Sequence, residues 1–367
     1  MRLLKLLCLL ASLCTISANA AEPAPAHRYL YVACPGIRDY LEFGGHGVLV
    51  FDIDDGHKFV RRIPFGGTDG PDHKPLNVKG VCASAATGRL YVGTTKTLTC
   101  LDLATDKVVW ERKYDGGCDR MSITPDGKTM YLPSLEGPFW NVVDAETGEV
   151  RTKIEPKSGA HNTVVSLDGT RAYLAGLKSP LLRIVDTATN QTAVEVGPFS
   201  KPVRPFTVNG AGTRVYACVN DLLGFEVGDA KTGKVLAQVK VEGFEKGPTK
   251  RHGCPSHGVG LTPDEREVWV CDARNQRVHV FDNTVMPPKQ VASVELREQP
   301  GWVTFSLDGR YAYPSTGEVI DVKTRKIVAA LGDEKGQAVH SEKMVEVQFA
   351  GGKVVRTGDQ FGLGRVR

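Results

Sequence analysis

The chain has 367 residues, 41% of them hydrophobic and 24% charged, with a formal net charge of +4. That balance supports a packed core, excludes a disordered chain and is too weakly basic to argue for a nucleic-acid partner. Forty glycines and 21 prolines fit many tight turns.

Residues 1–20 read as a secretory signal peptide. Arg2 and Lys5 precede an apolar stretch from Leu6, and Ala18-Asn19-Ala20 supplies the small-residue cleavage pattern. Cys14 follows Leu13, which disfavours lipoprotein processing. No later run reaches the roughly 18 apolar residues of a membrane span. The expectation is an exported protein, periplasmic or secreted, with one domain over 21–367. Seven cysteines remain beyond the leader, an odd number that leaves at least one thiol free. Cys82 and Cys100 share one repeat and are the candidate disulfide; Cys218 and Cys271 sit on matching strands of successive repeats, too far apart to pair.

An aromatic recurs at a near-constant interval from Tyr91 through Tyr131, Tyr173, Tyr216 and Trp269 to Tyr313, with separations of 40, 42, 43, 53 and 44 residues. Each repeat has one grammar. An apolar strand such as MSITPDG or NTVVSLDG leads into a hairpin turn, and the aromatic strand follows. A third strand ends in a hydrophobic-Asp pair (VFDI, CLDL, IVDT), whose Asp is read as bonding its own turn. A fourth, outer strand closes the unit. Four antiparallel strands at this period predict one blade of a β-propeller.

Seven blades are predicted. Blade 1 is 29–64 and begins at its second strand. Blades 2 to 6 are 79–113, 119–154, 161–198, 204–240 and 257–296, and blade 7 is 302–330. The leftover strand 343–349 is expected to complete blade 1 as its innermost strand and close the ring, which removes the exposed central edge. The fold class is thus all-β, with no helical periodicity in the mature chain. Segments 34–46, 65–78 and 241–256 break the rhythm, and departures from a repeat are where function is commonly placed.

Twelve residues before each aromatic stand Lys79, Asp119, His161, Arg204, His257 and Gly301. In a ring, equivalent positions face one space, here the rim of the central channel. His340 and Glu342 on the closing strand, with neighbours Arg120, Asn162 and Trp302, add to that rim. The long loops are positioned to hang His46, His73, Arg251 and His252 over it. His27, His57 and His279 are read as surface or inter-strand residues.

A polar pocket at the channel mouth admits several chemistries. The leading reading is binding of a small anionic ligand by Lys79, Asp119, Arg204, Trp302 and Glu342. A catalytic reading uses His161 and His257 as acid or base. A metal reading takes His161, His257 and His340 as imidazole ligands for Zn, Cu or Fe, with Asp119 or Glu342 as an oxygen donor. A protein partner on the propeller face is the fourth. No Cys-x-x-Cys-His haem motif is present, and the expected state is a monomer.

The runs SHGVGLTPDEREVWVCDARNQRVHVFD, ITPDGKTMYLPS and NTVVSLDGTRAYLAG resemble the YVTN family of β-propeller repeats, which includes YncE-like periplasmic proteins. The strands here read YVGT, YLPS and YACV, a departure from the name-giving pattern. That family is similar in turn to seven-bladed lactonase-type propellers, where histidine and arginine at the channel mouth act on anionic substrates. The resemblance implies a lactonase-like hydrolase or lyase as the enzymatic alternative, with His161, Arg204 and His257 at the matching places. YncE-like proteins are associated with DNA binding, but no basic stripe interleaved with aromatics is present.

Overall fold

The computed structural model describes residues 27–248 and 251–366. The leader read in residues 1–20 lies outside them. The described chain forms seven radially arranged antiparallel sheets, a seven-bladed β-propeller. A single 3-10 turn, Leu41–Phe43, interrupts the strands. None of its helices is long and apolar enough to cross a membrane.

The local grammar explains each blade. In blade 3 the strands Ser122–Ile123, Thr129–Pro133, Trp140–Asp144 and Val150–Ile154 run from the axis outwards. The turn between the first two carries Gly127 at φ 71°, a conformation glycine adopts without Cβ strain. The terminal Asp144 accepts the amides of Glu146 and Thr147 with Oδ1 at 2.9 and 3.0 Å, which fixes the next turn. Asp102, Asp186 and Asp229 do the same in blades 2, 4 and 5.

The recurrent aromatic has a physical purpose. Its ring is fully buried at every position, and at Tyr91, Tyr131 and Tyr173 the hydroxyl reaches the next blade, whereas Trp269 bonds Glu267 within its own blade. Tyr91 donates to the Ala145 carbonyl (3.0 Å), Tyr131 to the Asn190 side chain (2.8 Å) and Tyr173 to the Gly212 carbonyl (3.0 Å). A buried phenol needs such a partner, so one residue supplies both apolar filling and an inter-blade tie.

The tie between blade 7 and blade 1 is Tyr313 Oη against His57 Nε2 at 3.0 Å. His57 is therefore a buried inter-blade residue. Burial, assisted by Arg28, pulls its pKa down to about 4. The folded state thus favours neutral His57, while the unfolded chain titrates near 6.5. Between these values the unfolded state binds more protons, so stability is intact above about 6.5 and is lost as pH falls towards 4. The expected loss is about 3 kcal/mol across that window. Denaturant melts at pH 7 and pH 4 check this. His57→Asn, which tolerates the left-handed φ of 61° at this position, should flatten the acid limb.

Ring closure follows the expected route and then goes further. Blade 1 has five strands in the order Lys58–Ile63, Gly47–Asp52, His27–Cys34, Met344–Ala350 and Lys353–Thr357. The strand at 343–349 does complete the blade and close the ring. It is not the innermost strand, because Lys353–Thr357 folds back beside it. The chain then enters the channel. The Gln360 carboxamide accepts from the Val81 amide (3.1 Å), and the Gly362 carbonyl accepts from the Leu261 amide (2.8 Å) and Thr207 hydroxyl (2.7 Å). Phe361 and Leu363 join the core beside Trp302, Phe206 and Val208. The tail therefore bridges blades 2, 5, 6 and 7 and plugs the axis.

The seven cysteines among the described residues are buried and free. Cys82 and Cys100 do not pair, for a geometric reason. Both face Tyr91, from the strands on either side of it. Two strand spacings of about 4.8 Å separate them, beyond the roughly 4.4–6.8 Å that a disulfide spans between Cα atoms.

Candidate functional site at the channel mouth

The first residues of the inner strands do converge. A cavity of about 220 Å³ at the mouth is lined by Lys79, His161, Arg204 and His257 from four blades, with Arg120, Glu342 and Lys343. Two irregular segments cover it: Ile37 and Arg38 from 34–46, and Arg251, His252 and Gly253 from 241–256. The Arg38 guanidinium donates to the Arg251 carbonyl at 3.0 Å, joining the two covers. Asn77, at the end of segment 65–78, also lines the wall.

Asp119 lies beneath the cavity wall, with no exposed surface. Its Oδ2 accepts from His161 Nδ1 at 2.7 Å, and Oδ1 lies 3.2 Å from the Arg120 guanidinium and 3.7 Å from Lys79 Nζ. Burial alone would raise the Asp119 pKa; His161, Lys79 and Arg120 outweigh it and hold it well below the usual carboxylate range. Burial holds His161 below its ordinary value, against the pull of Asp119. The state that satisfies both is an ionised Asp119 accepting the Nδ1–H of a neutral His161.

Arg120 is the hub. Its guanidinium reaches Asp119, the His161 Nε2 at 3.3 Å and Glu342 Oε2 at 2.6 Å. It also stacks 4.7 Å above the Trp302 ring. Trp302 therefore lies behind Arg120, and its indole N–H donates to the Gln360 carbonyl of the tail. Lys343 Nζ adds a second cation to Glu342 Oε2 at 2.6 Å. Burial opposes ionisation of Glu342, but Lys343, His252 and Arg120 hold its pKa well down. Burial pulls Lys343 down to about 7, with Glu342 resisting and Arg120 assisting.

His340 is placed elsewhere. Its ring stacks on Phe43 at 4.4 Å, and Glu298 Oε1 is 3.3 Å from its Nδ1. Burial, with Arg297 and Arg251 nearby, pulls its pKa down to about 4. The structure thus brings His161 and His257 together, with ring centroids 6.4 Å apart, and leaves His340 outside. The residue that joins His257 is His252, whose ring stacks on it at 5.0 Å. His252 was legible only as a loop residue able to reach the rim. Lys343 carried no sequence signal beyond its adjacency to Glu342. His46 packs edge-on against Phe65, and His73 lies in an exposed turn.

No family model and no curated protein matches the sequence. Among solved structures, the chain is similar to a hydrazine synthase chain of Kuenenia stuttgartiensis, with a TM-score of 0.59 and 15% identity over 77% of this chain and 88% of that one. It is similar to the same degree, TM-score 0.59, to the β-propeller domain of Cps50 (Swd1) from Myceliophteria thermophila, at 12% identity over 76% of this chain and 87% of that one. At these identities the likeness is one of fold: the chain is a seven-bladed β-propeller.

Proposed function

We propose that the protein binds a small anionic ligand, of the carboxylate class, in the cavity at the channel mouth. One observation carries this reading. Arg38, Lys79, Arg120, Arg204, Arg251 and Lys343 face a cavity whose lining carboxylates are Glu136 and Glu342. Arg204 is held by the Asn220 side chain (2.6 Å) and the Gly253 carbonyl (3.1 Å) rather than by a carboxylate. Its charge is therefore available to a ligand, and a guanidinium fork suits a carboxylate. The cavity, about 220 Å³, is smaller than the roughly 300–1,000 Å³ of sites for drug-sized molecules, so the ligand is small. The repeat's likeness to YVTN-type proteins and the leader-like residues 1–20 support an exported binder.

Binding is favoured over lactonase-like hydrolysis or elimination by the position of Arg120. The Asp119–His161 pair has the orientation of a general base. Its outward Nε2, however, already faces the Arg120 guanidinium at 3.3 Å. A positioned cation there suits anion binding and opposes proton transfer to His161.

Titration calorimetry with small dicarboxylates and sugar acids tests the reading. Lys79→Ala and Arg204→Ala should each weaken binding by about tenfold or more, since hydrogen bonds to charged groups contribute about 1.5–3 kcal/mol. The reading fails if no member of the panel binds, or if both variants bind as tightly as the parent.

A further inference from the structure

His252, His257 and Glu342 come from three separate parts of the chain. A loop delivers His252, the first strand of blade 6 follows His257, and Glu342 precedes the closing strand of blade 1. All three are buried, and each offers a nitrogen or oxygen within 4.8 Å of the others. Two histidines and one carboxylate form a recurrent ligand set for zinc and related divalent metals.

The hydrogen bonds around the set suit that role. His252 Nε2 lies 3.3 Å from the Gln299 carbonyl, and His257 Nδ1 lies 3.0 Å from the Gly301 carbonyl. A backbone carbonyl accepts only from an N–H, so each contact fixes its ring: at His252 the other nitrogen, Nδ1, is the one beside Glu342, whereas at His257 Nδ1 itself lies 3.9 Å from Glu342 Oε1 and Nε2 is the nitrogen left for an ion. Metal-binding histidines are commonly oriented in this way. His252 Nδ1 lies 3.3 Å from Glu342 Oε1, a contact that an N–H can make and that a shared cation can replace. Tetrahedral ligands at about 2.0–2.1 Å from zinc are themselves roughly 3.3 Å apart. Arg120 and Lys343 both occupy Glu342 Oε2, which leaves Oε1 for the histidines.

We propose that His252, His257 and Glu342 form a divalent transition-metal site of the zinc type at the channel mouth, with open coordination positions facing the cavity. The site rests on the anion-binding reading only for what fills those positions. Coordination of the metal itself stands apart from it.

The test titrates the metal-stripped full chain with Zn(II) alone, followed by calorimetry, and with Co(II), followed by its tetrahedral absorption bands. About one ion per chain is expected. His252→Ala and His257→Ala should weaken uptake at least as much as the loss of an outer-shell partner, about 10–100-fold. His340→Ala should leave uptake unchanged. His252 lies in a loop, so its variant carries the test if His257→Ala fails to fold. No saturable uptake would overturn the proposal and leave an imidazolium–carboxylate pair in its place. Equal uptake by parent and His252→Ala, or loss of uptake in His340→Ala, would also overturn it. Carboxylate titration in chelator keeps the two readings separable: binding that persists without metal preserves the anion pocket even when the metal site fails.

Discussion

Replacing Arg120 by Ala should cost about 3–5 kcal/mol of folding stability, the range for removing one partner of a buried ion pair, and should abolish ligand binding. The guanidinium is 3% exposed and bonds two carboxylates, Asp119 and Glu342, at 3.2 and 2.6 Å. Without it both anions stay buried with fewer cations, and His161 and Trp302 lose their positioning contact. Arg120→Lys keeps the charge but not the fork, so it should recover part of the stability while leaving affinity low. Adding Glu342→Ala to Arg120→Ala should cost less than the sum of the two single changes, because the stranded carboxylate is then gone. Chemical denaturation of the four proteins measures this. A near-neutral Arg120→Ala would show that the network is not closed as described.

Phe361→Ala is expected to lower stability by about 3–5 kcal/mol, as for other buried phenylalanines. Phe361 is 2% exposed and meets Trp302 edge-on, with ring centroids 6.1 Å apart. Ending the chain at Thr357 should cost no more than this. The removed segment takes its contacts with it, but it also releases about 1–2 kcal/mol of backbone entropy per residue that had been ordered. A truncation far more damaging than Phe361→Ala would mean that the tail is needed for ring closure itself. An unaffected Phe361→Ala would mean that the tail does not occupy the channel. The contact of Trp302 with Gln360 gives a second readout, since undocking the tail should raise indole exposure and shift tryptophan fluorescence.

The ring of residues at the channel mouth was legible because a repeat converts spacing into geometry. Lys79, Asp119, His161, Arg204 and His257 share one position of the repeat: the first, third and fourth sit at register shifts of their inner strands, and Asp119 and His257 just precede theirs. His340 misled for the reason that His252 stayed obscure. Each lies in a segment without repeat register, so its place depends on what packs beside it. For His340 that is the Phe43 ring, supplied by the 34–46 insertion.

Period-two apolar alternation, turn residues that tolerate left-handed backbone and a buried aromatic every forty-odd residues are local properties, and they determined the seven blades and the height of the rim. The pairing of charges across the mouth, the choice of His252 over His340 and the threading of residues 358–366 into the channel were decided by tertiary structure. These depend on contacts between groups hundreds of residues apart, such as Arg120 with Glu342 and Val81 with Gln360. Their energies come from desolvation in a shared cavity, which no local pattern encodes.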